Sequence, residues 1–165
     1  MLGYTLPLAL LLATGTAAAD NHIAHNGSRW AELEDDGDVY ISGRKVGEVQ
    51  EDGDIYIDGR KAGEIEEDGD IYIHGRKVGE IEEDGDIYIS GRKLGEIEED
   101  GDIYVRGTKW GDVDNCCSSI TEQRRIGVTV IFFTDIFGIP TLQTTPAPQN
   151  TPAPQGTPTP QGTQQ

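Results

Sequence analysis

Basic residues are scarce in this sequence of 165 residues, which contains 13 lysines and arginines against 30 aspartates and glutamates. The formal charge at pH 7 is therefore −17. Phosphate backbones are bound by clustered lysines and arginines, so this composition argues against a nucleic-acid-binding protein. The same deficit argues against docking on an anionic membrane. Hydrophobic residues make up only 35% of the chain, which argues against a large conventional core.

The N-terminal apolar run is too short for a membrane-spanning helix, which needs about 20 apolar residues. Residues 2–15 carry no charge, and three alanines then precede Asp20. A short apolar run ending in an Ala-x-Ala pattern is typical of a secretory signal peptide. We therefore predict a signal peptide over residues 1–19, cleaved after Ala19, and an exported protein that is periplasmic, at the cell surface or extracellular. The alternative is an uncleaved N-terminal anchor.

The C-terminal segment, residues 141–165, lacks charged and aromatic side chains and is rich in threonine, proline and glutamine. Such a composition cannot bury enough apolar surface to offset the entropy of ordering. We predict a disordered tail with extended polyproline segments, either simply solvated or acting as a spacer or a site for O-linked glycans.

The middle of the chain is an internal repeat of 16 residues without insertions or deletions. The string Gly-Asp-(Val/Ile)-Tyr begins at Gly37, Gly53, Gly69, Gly85 and Gly101. Each unit contains two short β-branched or aromatic runs, and both end in turn residues such as Asp-Gly, which is a strong hairpin signal. The sequence therefore predicts an all-β fold of five hairpin repeats. A bulge at Gly63 would place Ala62 and Ile65 on the same face.

Two all-β architectures accommodate this period. One is an antiparallel meander that curls into a barrel, and the other is a parallel β-solenoid with one unit per coil. In a solenoid Glu66, Glu82 and Glu98 would stack about 4.8 Å apart and repel one another. The turn residues and this repulsion both favour the meander or barrel.

The flanking segments divide the mature chain. We expect an N-terminal linker over residues 20–27, the acidic β-repeat domain over 28–114, and a Cys-Cys and apolar capping segment over 115–140. Trp30 and Trp110, the only tryptophans, lie in atypical half-units of the kind that cap repeat arrays.

The capping segment has a helix start signal, because Ser119 and Glu122 have the capping-box spacing. The apolar run that follows predicts a helix that packs on the sheet or plugs its open end. Its β-branched residues leave a terminal strand as the alternative.

The acidic turns suggest the hypothesis that the protein binds calcium. In the second repeat they place Glu64, Glu66 and Asp68 at the first three ligand positions of an EF-hand loop, but Gly75 occupies the twelfth position, where an EF-hand needs glutamate. The Gly-Asp rhythm also resembles the calcium-binding β-roll repeats of secreted toxins, although the chain has no Gly-Gly pair. The alternative is a solvated acidic rim. The candidate calcium ligands are Asp52, Asp54, Asp68, Asp70, Asp84, Asp86, Asp100 and Asp102.

The two cysteines, Cys116 and Cys117, are adjacent. In an exported protein we expect them to be oxidised, either with each other or between molecules. The sequence contains no Cys-x-x-Cys motif, and its polar residues are repeated five times as in a surface tiling. We therefore predict no set of catalytic residues, and we expect that the protein is not an enzyme.

Basic pairs recur eight residues from the acidic turns, beginning with Arg44-Lys45 and Arg60-Lys61. This spacing places a basic edge opposite an acidic edge. Self-association through these edges is one interpretation, and a solvated rim with local ion pairs is the other.

The string Gly59-Arg-Lys-Ala-Gly-Glu-Ile65 resembles the Gly-rich rhythm of bactofilins, polymer-forming β-helix proteins, with the apolar residue displaced by one. The segment around Tyr56-x-x-Gly-Arg60 is similar to the YD-type repeats of secreted bacterial proteins. These resemblances imply a β-repeat structural protein and assign no functional residue. We expect a non-enzymatic structural or interaction module, with a calcium-binding secreted repeat protein as the alternative.

Overall fold

The computed structural model describes residues 20–139. The predicted signal peptide and the predicted tail lie outside this range. The described chain consists of 12 strands followed by one helix. Their bounds are β1 Asn21–His25, β2 Ser28–Leu33, β3 Asp38–Ile41, β4 Arg44–Val49, β5 Asp54–Ile57, β6 Arg60–Ile65, β7 Asp70–Ile73, β8 Arg76–Ile81, β9 Asp86–Ile89, β10 Arg92–Ile97, β11 Asp102–Val105, β12 Thr108–Asp114 and α1 Ile120–Phe133.

The strands form a closed antiparallel barrel. Each strand pairs with the strand before it and the strand after it, and β1 pairs with β12 to close the ring. At this closure Ile23 lies opposite Val113. The predicted meander or barrel is confirmed, and the parallel solenoid is wrong because neighbouring strands run in opposite directions.

The barrel contains six hairpin units rather than the five predicted. The additional unit begins with β1, so residues 20–27 are not a linker. They form a strand and the short turn that leads into β2. This unit is not recognisable from the repeat pattern, because it has His22, Ala24 and His25 at the positions where later units have Asp, Tyr and Ile.

Two kinds of turn alternate along the chain and lie at opposite ends of the barrel. The short turns have two residues with positive φ, as at Asp58 (49°) and Gly59 (73°), which is the type I′ geometry expected of tight hairpins. They occur at residues 26–27, 42–43, 58–59, 74–75, 90–91 and 106–107. We call this the basic end. The longer turns, at residues 34–37, 50–53, 66–69, 82–85 and 98–101, form the acidic end.

A β-bulge recurs in every unit. In the second repeat Ile55 lies opposite Gly63 and Tyr56 lies opposite Lys61, so Ala62 is the extra residue. Ala62, Gly63 and Ile65 are all buried, whereas Lys61 is exposed. The bulge hypothesis is confirmed, and the register shift falls at the residue next to Gly63.

Helix α1 fills the inside of the barrel. Eight consecutive residues, Ile126 to Phe133, are buried, and a helix lying on the outside of a sheet would keep one face exposed. Ser119 is the N-cap, and its hydroxyl accepts a hydrogen bond from the Glu122 amide. The predicted helix is therefore confirmed, and the terminal strand is wrong. In residues 20–139 no helix is long and apolar enough to cross a membrane.

The helix and the strands meet through aromatic rings and glycines. A Cβ added at Gly63 would lie 2.6 Å from the ring of Phe132, and one added at Gly47 would lie 2.6 Å from the ring of Phe133. Phe137 lies beyond the end of the helix, and a Cβ added at Gly95 would lie 3.0 Å from its ring. Strand glycines thus provide the space that the aromatic side chains occupy.

The two tryptophans lie at the seam of the barrel. Trp30 and Trp110 make an edge-to-face contact with ring centroids 5.3 Å apart, and His25 stacks on Trp110 at 4.4 Å. They do not cap the ends of an open array, because the terminal units pair with each other.

Replacing Gly63 with alanine is expected to lower the free energy of unfolding by about 3 kcal/mol, since the new methyl group would overlap both Phe132 and the Tyr72 carbonyl oxygen. Urea denaturation of the mature chain measures the change. Gly91→Ala is the matched control: nothing lies within 4 Å of its added Cβ, and only the left-handed backbone is strained, at about 1 kcal/mol. Equal losses in the two variants would contradict the tight ring-to-glycine packing.

Candidate functional site

The first aspartate of each predicted calcium pair shapes its turn. The Asp68 carboxylate accepts a hydrogen bond from the Asp70 amide at 3.1 Å. The same contact, at 3.1 to 3.2 Å, is made by Asp36, Asp52, Asp84 and Asp100. These aspartates remain exposed to solvent.

The second aspartate of each pair begins a strand on the outer surface and binds a lysine. Lys61 Nζ lies 2.6 Å from Asp54 Oδ1 and 2.5 Å from Glu64 Oε2. Asp54 and Glu64 are directly opposite in the sheet, so the ammonium group separates two like charges. The pattern repeats around the barrel and forms the outer charged belt, which comprises Lys45, Lys61, Lys77, Lys93 and Lys109 with their partners.

Hydrogen bonds in this belt raise the pKa of the lysine side chains. Those from Lys61 to Asp54 and to Glu64 raise the pKa of the ammonium group well above its ordinary value. The same arrangement raises the pKa of Lys77 and of Lys93. The lysines are therefore held in the charged form that the surrounding carboxylates require.

At three turns of the acidic end, three carboxylate side chains lie close together. In each of these groups one oxygen of every carboxylate lies within 4.8 Å of the others. The groups are Glu34, Asp36 and Asp38; Glu82, Asp84 and Asp86; and Glu98, Asp100 and Asp102. The structure thus gathers four of the predicted aspartates into two groups. Sequence reasoning missed the first group, although the Gly-Asp string at Gly37 marks it.

The other four predicted aspartates do not join such a group within residues 20–139. The turn that contains Asp52 and Asp54 has Gln50 where other turns have glutamate. Around Asp68 and Asp70 no third carboxylate lies within the same distance.

Carboxylates are crowded around Glu34. Burial and the neighbouring Asp36 raise the pKa of this side chain. The neighbouring negative charges thus favour the protonated form of Glu34.

Three side chains at the start of α1 fasten the helix to the acidic end. Arg124 donates to the carbonyl oxygens of Asp68 at 2.8 Å and Ile81 at 3.3 Å, and also to that of Glu67. Arg125 reaches the carbonyls of Glu34 and Asp35, and Gln123 reaches that of Ile97. Sequence reasoning missed these roles. The signal was two adjacent arginines at the start of an apolar run in an otherwise acidic chain.

A cavity of about 650 Å³ lies beside these arginines. It opens between α1 and the turns that contain Glu51 and Glu66, and Val49, Ile65 and Ile120 contribute its apolar wall. The Arg125 Nε atom is buried and has no hydrogen-bond partner among the described atoms.

The basic end carries five exposed arginines, Arg44, Arg60, Arg76, Arg92 and Arg106. Within the described part of the chain none of them makes an ion pair, in contrast to the neighbouring lysines. Beside Arg44 a cavity of about 320 Å³ is lined by Ile41, Val46 and Ile57. The end is therefore cationic at its rim and apolar between its turns.

The tyrosine row lies on the outer surface, half-buried between strands. Tyr72, for example, lies opposite Glu64 on one side and Lys77 on the other. Burial and the nearby Glu66 raise its pKa.

Cys116 and Cys117 form a disulfide with each other in the connection between β12 and α1. Of the two pairings that the sequence leaves open, this is the one within a single chain. Cys117 is buried, so the pair packs at the point where the chain leaves the barrel wall.

The belt predicts a loss of stability at alkaline pH. An unfolded lysine has a pKa of about 10.4, and the folded value is higher, so the stabilisation is complete below about pH 10 and is lost as the pH rises through the folded value. Urea denaturation at increasing pH measures this decline.

The matched variant is Lys61→Arg/Lys77→Arg/Lys93→Arg. Arginine keeps its proton across this range, so the alkaline decline should become shallower. Tyrosines with a raised pKa, such as Tyr72, leave a residual decline. An unchanged slope would show that the lysine hydrogen bonds do not contribute.

Comparison of the chain with protein-family models, with curated proteins and with solved structures finds no match. The functional argument therefore rests on the geometry described above.

Proposed function

We propose that this chain is an exported, non-enzymatic β-repeat protein that acts as a structural or interaction module at the cell envelope or outside the cell. The observation that carries the proposal is the filled barrel. Residues Ile126 to Phe133 occupy the space in which a barrel of this kind would otherwise hold a ligand.

The surface supports the same proposal. Its polar residues recur with the repeat, as in the Asp-Lys-Glu contacts of the outer charged belt. Catalysis needs a nucleophile, a base and an orienting group that converge at one place, whereas a repeated surface offers the same weak contact several times. Repetition of this kind suits binding of an extended or repetitive partner.

A disulfide between Cys116 and Cys117 is consistent with an oxidising compartment. The export proposal predicts that the chain recovered from the native envelope or medium begins at Asp20. Affinity capture from these fractions, with mass spectrometry of the N-terminal peptide and of co-purified proteins, tests both parts. Recovery in the cytoplasm with residues 1–19 intact would contradict export, and turnover of a substrate by the purified chain would contradict the non-enzymatic role.

The second candidate function is calcium binding at the acidic turns. The specific observation that favours it is the convergence of three carboxylates in each of three turns. Against it, the third carboxylate already binds a lysine in each group, as Asp86 does at 2.6 Å from Lys93. Calcium would have to share or displace this ammonium group, so we expect weak binding with a Kd of about 10⁻⁴ to 10⁻³ M.

Isothermal titration calorimetry and circular dichroism, with calcium and with EDTA, test the calcium candidate. We expect three sites in the unaltered mature chain and one in Asp84→Asn/Asp100→Asn, because asparagine keeps the turn contact but removes the charge. Asp52→Asn/Asp68→Asn is the control, since these turns lack a third carboxylate, and it should keep three sites. No heat and an unchanged fold on adding calcium would refute the candidate.

A further inference from the structure

The closed barrel leaves no strand edge for pairing with another chain. Within residues 20–139 every strand has two hydrogen-bonded neighbours, including β1 and β12. Association by strand addition is therefore excluded for the described barrel. The surfaces that remain are the outer wall and the two ends.

We propose that the barrels associate head to tail, with the basic end of one copy seated on the acidic end of the next. The inference rests on the proposed interaction role and names its partner as a second copy of this chain. Three properties of the ends carry it: their opposite charge, the unpaired state of their charged groups and their common repeat.

Charge is separated along the barrel axis. The acidic end carries 14 acidic residues in its five turns, namely Glu34, Asp35, Asp36, Glu51, Asp52, Glu66, Glu67, Asp68, Glu82, Glu83, Asp84, Glu98, Glu99 and Asp100. The basic end carries five arginines, and Asp58 is the one acidic residue in its short turns. Strands of six residues hold the ends about 20 Å apart.

The charged groups at both ends are available. Arg44, Arg60, Arg76 and Arg92 are exposed and make no ion pair within the described chain. Glu51, Glu67, Glu83 and Glu99, each at the second position of an acidic turn, are exposed too, and their side chains make no hydrogen bond with described residues. Forming contacts between these two sets breaks none inside the barrel.

The two sets also share one repeat. Each hairpin unit contributes one short turn to the basic end and is joined to the next by one acidic turn, so both rings have the spacing of the same barrel. Successive turns of one kind are two strands apart, or about 9.6 Å. The four consecutive arginines can therefore face four consecutive carboxylates of the same spacing, and other rotations pair fewer of them, because Ser28 and Thr108 occupy the equivalent positions in the first and last units.

The net charge opposes association at long range and permits it at contact. Two chains of charge −17 repel each other in water of low ionic strength. At about 0.15 M salt the Debye length is about 8 Å, well below the length of the barrel, so the far acidic end is screened while the facing rings are not. The contact is heterologous and leaves a free basic and a free acidic end, so it continues into rods.

Two variants test the proposal, each with the four equivalent contact residues of one end neutralised. The basic-end variant carries Arg44→Ser, Arg60→Ser, Arg76→Ser and Arg92→Ser, since Ser28 occupies the equivalent position in the first unit. The acidic-end variant carries Glu51→Gln, Glu67→Gln, Glu83→Gln and Glu99→Gln. These substitutions leave the turn aspartates and the outer charged belt unchanged, and Arg124 contacts Glu67 through the backbone carbonyl, which glutamine keeps.

Sedimentation velocity of the full mature chain, in EDTA at about 0.15 M salt, should show concentration-dependent oligomers. Each variant alone should associate at least about tenfold more weakly. An equimolar mixture of the two variants should form a dimer and nothing larger, because one competent basic end meets one competent acidic end. Circular dichroism confirms that both variants keep the fold.

The design separates this mechanism from a simple effect of net charge. The basic-end variant becomes more negative and the acidic-end variant less negative, so net repulsion alone would weaken the first and strengthen the second. Stronger association of the acidic-end variant, a monomeric unaltered chain, or a mixture without dimers would overturn the proposal. Affinity capture of a different protein in that case would leave the interaction role standing with another partner.

Discussion

Contact between the aromatic side chains of the C-terminal segment and the glycines of the strands is the interaction on which the fold depends. Barrels of about eight strands can fill their own interior, but a barrel of 12 strands encloses more space than its inward residues occupy. Phe132, Phe133 and Phe137 fill that space where strand glycines leave room. The barrel wall and the helix therefore complete one core, and neither buries its apolar surface alone.

Charge orients the helix inside this core. The N-terminus of α1, with its positive dipole and with Arg124 and Arg125, lies among the acidic turns, and its apolar half extends toward the basic end. The reversed helix would bury the two arginines near the cationic rim. The same separation of charge that fixes this direction leaves the molecule with two chemically different ends, and the proposed head-to-tail association rests on that polarity.

Much of the local structure could be predicted because the same turn and strand patterns recur in every repeat. The type I′ turns follow from residues such as Asp58-Gly59, and the bulge at Ala62 follows from the need to bury it together with Ile65. Strand β1 was missed because His22 and His25 replace the residues that identify the later units. Two of the predicted calcium pairs were grouped with a third carboxylate and two were not, since that outcome depends on side-chain positions around each turn.

By itself the sequence determined the period, the turns and the alternation of acidic and basic turns, and it favoured antiparallel pairing over the solenoid, because each depends on residues close together in the chain. Only the tertiary structure decided that the array closes, that the helix lies inside it and which carboxylates converge. These features rest on contacts between distant residues, such as Ile23 with Val113 and Gly63 with Phe132. A local pattern shows that a face is apolar but does not identify the distant surface that will cover it, because the hydrophobic effect is not directional.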